Sequence, residues 1–211
     1  MKRAWLGLVG LALAGCQKPA PDWPTDLEAQ AGLCSAVHVM RLREPDSATP
    51  PASFDGFLQI LHYAMIAGAR GRERVELRAL DQVGRRAAVA HVQLREQDWK
   101  SRLPDCAAAF PETQRPAGRL PQSPFEAGMI CFGLADFVAR TAADFPREAV
   151  AASDLAERAL AAAAPELTRQ VRGNEQAAEQ LGERYRLQAF LAGRPSSLLD
   201  QCAQRFPVRA G

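Results

Sequence analysis

The sequence has few aromatic residues, which make up 7% of its 211 positions, and it contains no long run of β-branched residues. Because strands favour branched and aromatic side chains, this scarcity argues against an all-β sandwich or barrel. Alanine, by contrast, fills 40 positions. Since alanine loses no side-chain entropy in a helix, the composition predicts an all-α fold.

The chain also lacks a strong excess of charge of one sign. Its formal net charge is +2, and Lys2 and Arg3 at the N terminus account for this difference, so the rest of the chain is balanced. Proteins that bind nucleic acid carry a basic excess on their folded part. We therefore expect no nucleic-acid partner.

Motifs of the common catalytic and cofactor sites are missing. The sequence contains no His-Glu-x-x-His, Gly-x-Ser-x-Gly, Cys-x-x-Cys or glycine-rich phosphate loop. We therefore expect no cofactor and favour a protein that is not an enzyme, although many catalytic sites leave no local signature.

Histidine is scarce, and His38, His62 and His91 all lie in the first half of the chain. Each falls in a different predicted helix, so the three side chains could converge on a metal ion or form a catalytic cluster. A single histidine in a helix is more often a half-buried packing residue, which is the interpretation that we favour. Cys34 precedes His38 by four residues, so one helical face could pair a thiol with a base unless Cys34 forms a disulfide.

The N terminus has the pattern of an export signal. Residues 1–15 begin Met-Lys-Arg, continue with an apolar run from Ala4 to Ala14 and end in a glycine. A basic start, a short apolar core and small residues at the end are typical of a secretory signal peptide. The apolar run is too short to span a bilayer, which needs about 20 apolar residues.

The end of this segment, Leu13-Ala14-Gly15-Cys16, resembles the lipobox of bacterial lipoproteins. The resemblance implies that the signal is cut before Cys16, that the Cys16 thiol carries a diacylglyceryl group and that its amine is acylated, for example with palmitate. The protein would then be held on the membrane by its lipid, with the proline-rich residues 16–25 as a tether. Gln17, in place of an aspartate, favours the periplasmic face of the outer membrane. An ordinary secretory signal with an incidental cysteine, or an uncut anchor, is the alternative.

The four remaining cysteines indicate an internal repeat. Cys34 and Cys106 are 72 residues apart, and Cys131 and Cys202 are 71 apart. Both later cysteines begin the pattern Cys-x-x-x-Phe-Pro, and both earlier ones follow an Ala-Gly pair. These matches predict a tandem duplication of a small helical bundle with three or four helices per copy. The copies span residues 26–112 and 125–208, and a proline-rich linker, residues 113–124, joins them.

An exported chain meets an oxidising compartment in which structural disulfides persist. Four cysteines allow three pairings, and the repeat selects Cys34–Cys106 and Cys131–Cys202. Each bond would join the first helix of a copy to its last. Redox or metal chemistry at these cysteines is the alternative, but their wide separation in the sequence argues against it.

Local signals set the expected helices. The first helix begins near Asp26, the third near Arg72, and Asp98 caps a short final helix that carries Cys106. In the second copy, Pro146 and Pro195 each precede or open a helix.

Together these observations favour a membrane-anchored envelope lipoprotein that serves as a non-enzymatic binding or structural module facing the periplasm. An envelope protein, a peptide or a wall polymer would be its partner. The alternative is an envelope-acting hydrolase, or a metal-binding protein, that uses His38, His62 and His91. A third interpretation is purely architectural, with the two copies packed together and no site exposed.

Overall fold

The computed structural model describes residues 22–43 and 53–208, which form eight α-helices and no β-strand. The predicted all-α fold is therefore confirmed. The signal peptide, Cys16 and most of the tether lie outside the described residues. In chain order the helices are α1 (Leu27–Leu42), α2 (Phe54–Ala69), α3 (Leu77–Leu94), α4 (Leu103–Ala109), α5 (Pro124–Thr141), α6 (Pro146–Val171), α7 (Glu175–Leu191) and α8 (Pro195–Arg205).

The helices begin where the sequence provides caps or N-terminal prolines. Asp26 caps α1 by accepting a hydrogen bond from the backbone of Ala29 at 2.8 Å, and the Ser53 hydroxyl accepts one at the start of α2. Such side chains satisfy amide groups that have no partner within the helix. Proline opens α5, α6 and α8, where its missing N–H costs nothing. Within the described ranges, no helix is both long and apolar enough to cross a bilayer.

Two predicted helix starts in the first half are wrong. The third helix begins at Leu77 rather than near Arg72, because Gly71 turns the chain at φ +71° and the Glu76 amide then bonds to Gly68. Asp98 makes no side-chain cap, and Trp99–Arg102 forms a 3₁₀ turn before α4 starts at Leu103. An α-helix that started at residue 99 would hold Pro104 in its interior, where proline lacks an N–H and clashes with the carbonyl four residues earlier, and this cost disfavours such a start.

The first half of the chain contains α1–α4 and the second half contains α5–α8. In each half, a disulfide joins the first helix to the last. Cys34 on α1 is bonded to Cys106 on α4, and Cys131 on α5 is bonded to Cys202 on α8, with Cα–Cα distances of 5.5 and 5.6 Å. All four cysteines are buried. These are the two pairs that the repeat interpretation selects.

The first helix of each half approaches another helix closely at a glycine. A Cβ on Gly32 would lie 2.6 Å from Arg86 Cβ on α3, and a Cβ on Gly128 would lie 2.6 Å from the Ala159 carbonyl oxygen on α6. In keeping with this, α1 packs most extensively against α3, whereas α5 packs most extensively against α6. The corresponding glycines therefore face helices that differ in chain order, and the tandem duplication stays a prediction from the sequence.

The two halves pack against each other through α2. Leu58 and Met65 of α2 belong to the hydrophobic core of the second half. At one end of this contact, the Phe145 ring lies 5.6 Å from that of Phe54 and 5.2 Å from that of Phe57, measured between ring centroids. Helix α2 is therefore shared between the cores of both halves.

The segment between the halves is held along α8 and the turn before it. The Arg194 amide donates to the Arg115 carbonyl at 3.0 Å, and the Gly118 amide donates to the Ala192 carbonyl at 3.2 Å. The Gln201 side chain bonds to the backbone of both Ala117 and Leu120. The linker backbone is thereby attached to the second half, next to the N terminus of α8.

Candidate functional site

A polar cavity of about 290 Å³ lies where α1, α2, the second 3₁₀ turn (Pro111–Thr113) and the start of α8 meet. Both halves of the chain and the segment between them contribute to its wall, which is formed by His38, Arg41, Leu42, Gln59, His62, Tyr63, Thr113, Gln114 and Arg194.

His62 forms the most buried polar part of this wall, with 1% of its surface exposed. Its Nε2 lies 3.2 Å from the backbone carbonyl oxygen of Phe190 on α7. Because a carbonyl can only accept, Nε2 carries the hydrogen and donates it. Burial lowers the pKa of His62 to about 4, against a smaller upward effect of this hydrogen bond. The imidazole is therefore neutral at pH 7, and its Nδ1 is a hydrogen-bond acceptor.

The Nδ1 atom of His62 is buried and has no hydrogen-bond partner in the described parts of the chain. A buried polar atom without a partner costs about 1–3 kcal/mol, and such atoms are rare in folded proteins. His62 therefore combines a place on the cavity wall with an acceptor that no described protein group satisfies.

His38 lines the same cavity from α1. Its ring lies 6.3 Å from that of Tyr63 between centroids, and its Nε2 is also buried without a hydrogen-bond partner among the described residues. Burial lowers the pKa of His38, and the neighbouring Gln59 side chain opposes this effect. Burial also raises the pKa of Tyr63, which keeps its hydroxyl protonated.

The charge around the cavity is positive. Arg41 and Arg194 lie on its wall, whereas none of its lining residues is an aspartate or glutamate. The nearby Glu112 carboxylate pairs with Arg70 at 2.8 Å, outside the wall. Both histidines are neutral at pH 7, so the two guanidinium groups are the charges on the wall itself, whereas Asp55 and Glu112 lie behind it and raise the pKa of His38 and His62 slightly.

A second cavity of about 290 Å³ adjoins the first and shares His38, Arg41, Tyr63 and Gln114 with it. The rest of its wall is largely apolar and lies beside the Cys34–Cys106 disulfide. This apolar part is formed by Val37, Leu103, Pro104, Cys106 and Ala107. The two cavities are therefore neighbours of similar volume that share part of their walls, and the second one has an apolar side.

The structure brings together two of the three histidines that the sequence singles out. His91 on α3 does not line the cavity, and its Nε2 lies 3.0 Å from an Arg43 guanidinium nitrogen. Within residues 22–43 and 53–208, no group of three His, Cys, Asp or Glu side chains could hold a metal ion. A shared site of His38, His62 and His91 is therefore not formed. The pairing of Cys34 with His38 as thiol and base is also ruled out, because Cys34 is in a disulfide.

Sequence reasoning missed the arginines of the site. Arg41 is one of 23 arginines, so nothing in the sequence distinguishes it. Arg194 lies between a glycine and a proline, a pattern that is typical of a turn. The two are brought together only by the packing of one half on the other, for which the sequence has no local signal.

No protein-family model matches the chain. Neither a curated protein nor a solved structure is significantly similar to it. The fold and the cavity define an all-α protein with two disulfides and a cationic site at the junction of its halves.

Proposed function

We propose that the mature chain is a lipid-anchored, non-enzymatic module of the cell envelope that binds a ligand from the periplasm in the cavity between its halves. The observation that carries this proposal is the polar cavity at the junction of the halves, whose wall includes two arginines and His62, a residue with a buried acceptor that no described protein group satisfies. The lipobox at Cys16 supports the anchor.

The groups around the cavity favour binding over hydrolysis. A covalent catalyst needs a nucleophile activated by a neighbouring base or by a lowered pKa. The raised pKa of Tyr63 works against that role, and the Thr113 hydroxyl donates to the Phe110 carbonyl at 2.8 Å. The two neutral histidines and two guanidiniums are instead groups that recognise and hold a ligand.

The anchor would place this site close to the membrane. Each buried methylene of an acyl chain contributes about 0.8 kcal/mol, so two or more chains hold a protein stably on a bilayer. The tether, residues 16–25, spans at most about 30 Å at about 3.1 Å per residue. The cavity would then face solutes and polymers near the periplasmic surface of the membrane.

The lipid anchor is tested by changing Cys16→Ser. We expect this variant to leave the membrane fraction, and mass spectrometry of the wild-type protein to find acyl groups on an N-terminal Cys16. Arg85→Gln on α3 serves as the control, because Arg85 is exposed and its replacement leaves the lipobox and both disulfides unchanged. Membrane retention of the Cys16→Ser variant, or a mature N terminus at another residue, would contradict the anchor.

Ligand binding is tested by mass spectrometry of the protein purified gently from its own membrane, under non-denaturing and denaturing conditions. We expect an additional mass that is lost on denaturation. His62→Gln should remove this mass, because the glutamine Nε2 can still donate to the Phe190 carbonyl, whereas its only acceptor, Oε1, then lies on the opposite side from the position of Nδ1. His91→Gln, outside the cavity, should retain it. Equal masses under both conditions in every preparation would contradict a binding function.

A further inference from the structure

We infer that the cavity binds a carboxylate whose neighbouring carbon carries a neutral N–H or O–H donor, such as an N-acylated amino acid or a hydroxy acid. This inference rests on the proposed function, because it assigns the ligand of the same site. Its basis is the position of two guanidinium groups and an unpaired histidine acceptor around one cavity without acidic residues.

The two arginines favour the carboxylate. A guanidinium presents a planar set of donors that matches the two oxygens of a carboxylate. The Arg194 Nε is buried and has no hydrogen-bond partner in the described part of the chain, so it needs an acceptor. Arg41 forms no ion pair with any residue in the described ranges and lies on the same wall. An anion in the cavity would therefore satisfy charge and hydrogen bonds that the protein leaves open.

The histidine favours the neutral donor. Nδ1 of His62 is an acceptor, because Nε2 carries the hydrogen that is donated to the Phe190 carbonyl. A ligand that contacts Nδ1 must therefore offer an N–H or O–H group. An ammonium group would also be a donor, but the two guanidinium groups would repel it, and no carboxylate on the wall would offset this repulsion. A hydroxyl or an amide N–H avoids this repulsion.

The adjoining apolar space accounts for the remainder of the ligand. Val37, Leu103 and Pro104 line it next to His38 and Arg41. A small apolar substituent on the carbon between the carboxylate and the donor would lie against these side chains. A free acid and the C-terminal residue of a peptide share this chemistry.

The inference is tested by calorimetric titration of the mature, disulfide-intact protein in detergent at pH 7 with a matched set of small molecules. N-acetylalanine has all three features, whereas N-acetylalaninamide lacks the carboxylate, propionate lacks the donor and alanine replaces it with an ammonium. We expect N-acetylalanine to bind at least about tenfold more tightly than each of the other three. N-acetylalaninamide and propionate each lack one polar group that the cavity would bind, and the ammonium of alanine is repelled by the guanidiniums. N-acetylalanylalanine then tests the peptide source, since tighter binding than N-acetylalanine favours a peptide end and weaker binding favours a free acid.

Variants place the binding in this cavity. Arg194→Gln and His62→Gln should each weaken binding of N-acetylalanine at least about tenfold. Arg85→Gln is the matched control, because Arg85 is an exposed arginine on α3 that pairs with Asp81, and its affinity should be unchanged. Equal weakening by all three substitutions would overturn the assignment.

Failure of the inference and failure of the proposed function give different results. If the purified protein carries a ligand but N-acetylalanine does not bind, or if N-acetylalaninamide or inorganic phosphate binds as tightly, the carboxylate assignment is overturned and the binding function stands. If no ligand is carried and no probe binds, both are overturned. Tighter binding of Zn²⁺ than of N-acetylalanine, lost in the His62→Gln variant, would replace the carboxylate with a metal ion.

Discussion

A single residue, His62, links the fold to the candidate site. Its Nε2 bonds across the junction to Phe190 of the second half, and its ring forms part of the cavity wall. Burial keeps it neutral by lowering its pKa to about 4. The same side chain therefore links the two halves by a hydrogen bond and leaves a second ring nitrogen as an acceptor.

The lowered pKa of His62 predicts that acid destabilises the protein. Between pH 6.5 and 4 the unfolded chain binds a proton on this histidine that the folded chain does not, so stability falls as the pH falls. The shift from 6.5 to about 4 corresponds to about 3 kcal/mol. The free energy of unfolding can be measured in urea at both ends of this pH interval. We expect it to fall by about 3 kcal/mol less in the His62→Gln variant than in the wild type.

Other titrating groups do not obscure this comparison. His38 and His91 also have lowered pKa values, and Glu112 and Arg115 lie around His62, but all four remain in the variant. His91→Gln is the control, and it should remove a smaller part of the acid sensitivity because His91 is less buried. Parallel pH profiles for the wild type and His62→Gln would show that His62 is not buried in its neutral form.

At the scale of helices, close packing at small residues explains how the first helix of each half is positioned. Gly128 allows α5 to approach the backbone of α6 around Ala159, and Gly32 allows α1 to approach α3. The position of α1 in turn places His38 and Arg41 opposite α2. The geometry of the cavity therefore depends on helix contacts that lie outside it.

Gly128→Ala should destabilise the protein, because the added Cβ would meet a backbone oxygen that cannot rotate away. Overpacking of this kind costs about 1–3 kcal/mol. Gly182→Ala is the matched control, since Gly182 lies within α7 and a Cβ there has no atom within 4 Å. Alanine at position 182 should stabilise the helix by about 0.5–1 kcal/mol. Chemical denaturation measures both changes, and a neutral Gly128→Ala would contradict the close approach.

The sequence was sufficient for some elements and not for others. Pro146 and Pro195 correctly predict the starts of α6 and α8, because an N-terminal proline is a local signal. The prediction that α3 starts near Arg72 is wrong. The chain turns at Gly71, and the Val75 amide then donates a hydrogen bond to Glu183 of the second half, a tertiary contact that no local pattern encodes. Arg194 entered the site only through the packing of the two halves, which no local pattern encodes.

At the scale of the whole molecule, each half has its own hydrophobic core and its own disulfide, and α2 contributes to both cores. Leu58 and Met65 of α2 lie in the core of the second half, so that core is completed by a helix of the first half. The Cys34–Cys106 and Cys131–Cys202 bonds join the first and last helices of each half. The cavity lies at the junction and depends on both halves being folded.

Reduction of the disulfides should lower the melting temperature and leave a single transition. Closing a loop of about 70 residues contributes about 4 kcal/mol in the chain-entropy model, which is a large part of the net stability of a domain. We expect the reduced and alkylated protein to melt at least about 10 °C below the oxidised protein in circular dichroism. An unchanged melting curve after reduction verified by mass would contradict a stabilising role, and two separate transitions would contradict cooperative unfolding of the two halves through α2.

The central claim is that the cavity beside His62 is the binding site. It is tested most directly by nitrogen-15 NMR of the histidine side chains in the mature protein, with and without N-acetylalanine at pH 7. We predict that His62 is neutral with its hydrogen on Nε2, and that the ligand shifts its Nδ1 resonance while that of His91 stays in place. A protonated His62, or an Nδ1 resonance that N-acetylalanine leaves unchanged, would contradict the account.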